Sequence, residues 1–175
     1  MKKLFALMLA LCLLCSVALA EGPVELNWAD VEAAAEEVGG QFFAIEALGL
    51  VVWAPNDFYI VNESPEEYAE RGINGMFAAV DEEGNLTGAI TLQYLDVNGA
   101  SVEECVAAIE GASDPQDMII NGFPCVSFDL PEMDATCVAY ATEQGNLFVV
   151  SFLPLSNADF AAKSVIMVAS LQSAE

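Results

Sequence analysis

Cys105, Cys125 and Cys137 are the strongest potential nucleophiles beyond the first twenty residues, and they lack the partner that nucleophilic catalysis needs. A thiol attacks as its thiolate, usually generated by a neighbouring imidazole. The 175-residue chain contains no histidine. That removes Ser-His and Cys-His catalysis, an imidazole base and any His-ligated metal. Cysteine catalysis is not expected, and Cys105 reads as a small buried hydrophobe.

Carboxylates are the plentiful chemistry, with 27 Asp+Glu against 4 Lys+Arg. Two acids flanking a substrate can hydrolyse a glycosidic bond without other groups, so a carboxylate-only, glycosidase-like hydrolase is one reading. The densest run, Asp81-Glu82-Glu83-Gly84-Asn85, lacks the alternating oxygen ligands and closing Glu of a calcium loop, and reads as a hairpin turn. No cysteine or acid spacing matches a metal site and no Gly-rich phosphate loop is present, so no cofactor or metal is expected. The scarcity of bases excludes nucleic acid as a partner, because phosphate binding needs Lys and Arg. The acidity itself reads first as a solubility device; the sharper reading is capture of a cation or a basic partner.

The richest aromatic stretch is Trp53-Ala54-Pro55-Asn56-Asp57-Phe58-Tyr59. Trp53, Phe58 and Tyr59 are the candidate binding residues, since aromatic side chains are enriched at interface cores. The competing reading is burial against a sheet.

Localisation is read from the first twenty residues. Met1-Lys2-Lys3 is a charged start, Leu4 to Val17 is almost wholly apolar, and Ala18-Leu19-Ala20 is a small-x-small cleavage pattern. Residues 1–20 are expected to be a signal peptide, leaving 155 of the 175 residues in a secreted, extracytoplasmic and bacterial-looking protein with no membrane span after cleavage. The remainder carries 27 acids against Arg71 and Lys163, a net charge of −25. Residues 21–26 read as a short linker and 27–175 as a single domain, a normal domain size.

Within that domain Asn27 caps a helix with an apolar face at Trp28, Val31, Ala35 and Val38, stopped by Gly39-Gly40. Strands follow at Gln41–Ile45 and Leu50–Ala54, the second ended by Pro55. Ser64-Pro65-Glu66-Glu67 starts a short helix ending near Gly72. Met76–Val80 and Leu86–Val97 form the next strand pair. Ser101 opens a capping box with Glu104, and Val102, Cys105, Val106 and Ile109 make one apolar stripe before Gly111. Phe123–Leu130, Ala135–Thr142 and Leu147–Leu153 have connections short enough only for an antiparallel meander. Ser156 caps a last helix with Phe160, Ser164, Met167, Val168 and Leu171 facing inward. The fold class is α+β, with an antiparallel sheet of about six to seven strands flanked by helices.

The three cysteines beyond residue 20 leave at least one thiol unpaired within a monomer, and one bridge can be drawn three ways. Pairing Leu130 with Ala135 puts Phe128 opposite Cys137 and Cys125 on the other face, which forbids a bridge between them; a one-residue slip would put both on one face. Three free thiols are expected.

The order of elements resembles the PsbP-like/DcrB-like α/β/α sandwich family, and in particular its small secreted bacterial members. The resemblance covers roughly residues 40 to 172. It rests on Leu50 to Pro55, the capped helix, Ile119-Ile120-Asn121-Gly122-Phe123-Pro124, the meander and a final helix ending Ala169-Ser170-Leu171. These are marks of fold, and the family has no shared active site to carry over. The resemblance implies a binding or assembly role, and the chain is read as a secreted non-catalytic module whose partner is a protein or cell-envelope component.

Overall fold

The computed structural model describes residues 22–45, 50–60, 73–80, 83–95, 99–141 and 147–173. The expected signal peptide and the helix expected over Ser64 to Gly72 lie outside them. Eleven strands and three α-helices are present among the described residues. In chain order these are β1 (Val24–Leu26), α1 (Trp28–Val38), β2 (Gly40–Ile45), β3 (Leu50–Pro55), β4 (Phe58–Ile60), β5 (Ile73–Val80), β6 (Leu86–Leu95), α2 (Val102–Ala108), β7 (Ser113–Ile120), β8 (Phe123–Leu130), β9 (Ala135–Ala141), β10 (Leu147–Leu153), α3 (Ala158–Ala169) and β11 (Gln172–Ser173).

Eight strands form one sheet in the order β1-β7-β8-β9-β10-β6-β5-β4, and β11-β3-β2 form a small second sheet. The strand count exceeds the expected six to seven by β7 and by β1, β4 and β11, the last three only two or three residues long. Strands of two or three residues are too short to show alternation. Within the segment expected to be a linker, β1 runs parallel to β7 with Val24 beside Met118. β7 has no counterpart in the sequence pattern: it contains Pro115, and Asp114 adopts φ 50° beside a register shift. Among the described pairs, the rest of the large sheet is antiparallel, as expected.

The two faces of the sheet carry different cores. On one, Ile90, Leu92, Cys125, Val138, Val150 and Phe152 pack with α1, α3 and the small sheet. On the other, Val126, Phe128, Cys137, Ala139 and Val149 pack under Val106 of α2. The result is a layered α/β/α domain. Gly88 on β6 makes room for the Phe160 ring of α3, since a Cβ there would overlap the ring.

The caps follow the sequence with two small differences. Ser101 Oγ accepts from Glu104 N at 3.2 Å while Glu104 Oε2 accepts from Ser101 N at 3.0 Å, the expected box. α2 ends at Ala108, one turn before Gly111, because Ile109 is already extended. Asn157, not Ser156, caps α3, its Oδ1 accepting from Phe160 N at 3.2 Å. The Ser156 amide is instead taken by Asp134 Oδ2 at 3.1 Å.

Candidate functional site

The meander adopts the register that separates the thiols. Leu130 pairs with Ala135 and Phe128 with Cys137, so Cys125 opposes Tyr140 on the other face. Cys105, Cys125 and Cys137 are free thiols. Burial pushes the Cys125 thiol up to about 12 and raises Cys137 above its usual value, so both stay protonated and unreactive near neutrality. Tyr140 is raised well above its ordinary value by the same burial, and its hydroxyl has no hydrogen-bond partner among the described residues.

A groove of about 250 Å³ runs beside α2, with Glu103 and Asp117 among apolar Val106, Ala112, Pro115 and Val126. This is below the roughly 300 Å³ at which small-molecule pockets begin. Hydrogen bonding to its own backbone amide and to Ser101 lowers the Glu103 carboxyl, opposite to the shift a general acid needs.

Lys163 is the one basic side chain among the described residues. Its ammonium lies 2.6 Å from Asp57 and 2.8 Å from Asp159, joining the β3–β4 turn to α3. Burial opposes its charge, but hydrogen bonds to Asp159 and Asp57 and their Coulombic attraction outweigh that and raise its pKa. Most of the 27 acids therefore have no cation to pair with. Mutual repulsion acts on the compact state more than on the expanded chain. The melting temperature should rise as sodium chloride goes from about 0.01 M to about 0.15 M, where the Debye length shrinks from about 30 Å to about 8 Å. A melting temperature that falls over that series would mean the acids sit in specific favourable pairs.

Asn121 and Ser170, two of the residues behind the family resemblance, hold layers together. Asn121, at φ 50° in the β7–β8 turn, accepts from Trp28 N through Oδ1 at 2.8 Å. Its Nδ2 donates to Ala169 O at 2.7 Å and Leu171 O at 3.0 Å. One side chain thus satisfies an orphan amide at the start of α1 and orphan carbonyls at the end of α3. Ser170 is fully buried; its Oγ accepts from Trp53 N at 2.8 Å and donates to Met167 O at 2.7 Å.

The three aromatic candidates part company. Trp53 and Phe58 are buried, 4% and 7% exposed, while Tyr59 is 59% exposed on the edge strand β4. Phe58 stacks on Phe160, with ring centroids 5.9 Å apart. The three do not form a common surface. Trp53 lies instead beneath a different aromatic site. Trp28 packs on it at 6.2 Å, and Phe42 meets Trp28 edge-on at 5.3 Å. Phe42 is 46% exposed. Phe123, 55% exposed, begins β8 two residues beyond Asn121, on the sheet face shared with Ile120 and Cys125. The sequence signal for Phe42 was its neighbour Phe43: consecutive strand residues face opposite ways, and Phe43 faces the core at 6.4 Å from Phe77. Among the described residues no helix is long and apolar enough to cross a membrane.

No protein-family model matches the chain, and no curated protein matches its sequence. Solved structures do resemble it. The solution structure of cyanobacterial PsbP (CyanoP) from Synechocystis sp. PCC 6803 aligns with a TM-score of 0.50 at 13% identity, over 78% of this chain and 93% of that one. A crystal structure from Bacteroides thetaiotaomicron VPI-5482 aligns with a TM-score of 0.49 at 17% identity, over 78% of this chain, which spans about half (49%) of that one. The chain has a PsbP-like fold, as its sequence led us to expect.

Proposed function

We propose that this protein is a secreted, non-catalytic binding or assembly module that engages a protein or cell-envelope component through the aromatic surface around Phe42. The observation that carries this reading is a large aromatic held half-exposed on a fixed base: Phe42 sits on Trp28, which sits on buried Trp53. A half-exposed aromatic on a rigid support costs little entropy to dock, which suits an interface anchor. The carboxylate hydrolase has less behind it, since the acid-lined groove is small and Glu103 is held ionised. Export rests on the signal pattern of residues 1–20.

Crosslinking in the producing cell, followed by purification through this protein, should recover one envelope or secreted partner in stoichiometric amount. Recovery of no partner, together with release of reducing sugar from glycan substrates, would turn the assignment to the hydrolase.

A further inference from the structure

We propose that the outer edge of β2 is a strand-addition site for a basic, extended segment of a partner protein, an inference that rests on the module reading above. An edge strand offers a row of backbone N–H and C=O groups to an incoming chain. Among the described residues β2 pairs only with β3, in register from Gly40 beside Pro55 to Ile45 beside Leu50. The other sheet edges are short: β1 and β4 have three residues each and β11 has two. β7, which β1 covers only in part, is interrupted by Asp114, Pro115 and a register shift. Proteins blunt edges with charges, proline and bulges. β2 is six residues of Gly-Gln-Phe-Phe-Ala-Ile with no charge and no proline, and Gln41, Phe42 and Ala44 are exposed. An edge left open in this way is suited to pairing.

Charge selects the occupant. α1 leads directly into β2, and Glu32 and Glu36 follow Trp28 at intervals of four residues, so all three lie along one side of the helix. Both glutamates are exposed and neither has an ion-pair partner among the described residues. Lysine or arginine on an added strand meets these acids and the faces of Trp28 and Phe42, a cation–π arrangement. The wider field acts the same way: 27 acids against 4 bases repel anionic lipid surfaces and a second copy of the chain alike.

The test titrates the purified protein with a short peptide alternating lysine and leucine, and with its glutamate-leucine counterpart. Amide exchange across residues 40–45 and tryptophan emission report the site. The basic peptide should protect β2 amides and shift the emission, and the acidic peptide should do neither. Phe42→Ser and Ala44→Lys change exposed positions, so the fold should survive, yet each should weaken binding about tenfold through loss of the aromatic contact or addition of an edge charge. Equal binding by both variants would mean general attraction to an acidic protein and would overturn the proposal. So would equal binding of the acidic peptide, or β2 protection arising from self-association without peptide. A crosslinked partner whose footprint lies away from β2 would overturn this inference while leaving the module reading in place.

Discussion

Replacing Asn121 with alanine should destabilise the fold by about 3 kcal/mol, lowering the melting temperature by roughly 6–12 °C for a domain of this size. Three hydrogen bonds disappear together: Trp28 N to Oδ1, and Nδ2 to the carbonyls of Ala169 and Leu171. Each is worth about 1 kcal/mol net, and more where a buried group is left unpaired. Alanine also adopts φ 50° less readily than asparagine. Asn121→Gly removes the backbone term while losing the same bonds, so it should recover only a few tenths to about 1 kcal/mol relative to alanine. Asn121→Asp should not rescue, since it sets a carboxylate against two carbonyls. Urea unfolding of the three variants checks the ordering. An alanine variant within about 0.5 kcal/mol of wild type would show that α1 and α3 are held by apolar packing alone.

Gly40→Ala should cost a comparable amount, about 3 kcal/mol, for a different reason. A Cβ at Gly40 would overlap the Trp53 indole and the Ala54 carbonyl oxygen. The indole cannot move freely, because Trp28 lies on it and the Trp53 amide is bonded to Ser170. The carbonyl belongs to the β2–β3 ladder and cannot move without breaking it. In a Trp53→Leu background the same substitution should cost at least about 1 kcal/mol less, because the two residues compete for one space. Additive costs in this double-mutant cycle would place the strain in the backbone contact rather than at the ring.

Much of this architecture is legible in the sequence where local chemistry determines it. The Ser101–Glu104 box is two side chains three residues apart, and it forms as expected. The Leu130–Ala135 pairing follows from loop length, and it alone assigns Cys125 and Cys137 to opposite faces. Long-range partners are not written locally. Asn121 reads as a turn residue beside Gly122, yet its side chain bonds Trp28, 93 positions earlier, and Leu171, 50 later. Ser170 likewise reads as the end of a helix until it meets Trp53. The exposed aromatic surface around Phe42 is not legible locally for a related reason. Trp53, Phe58 and Tyr59 are adjacent in sequence, but Trp53 and Phe58 point into packed layers. Phe42 and Phe123, 81 positions apart, gain their exposure from strand edges and ends that only the assembled sheets define.

The proposed partner contact is the Phe42 surface. The most direct measurement places a photo-crosslinking phenylalanine analogue at position 42, and separately at Met133, which is 56% exposed in the short Pro131–Met133 helical turn. Both variants are irradiated in the producing cell. Position 42 should give a single covalent adduct and position 133 none. Adducts from position 133 alone, or equal adducts from both, would contradict it.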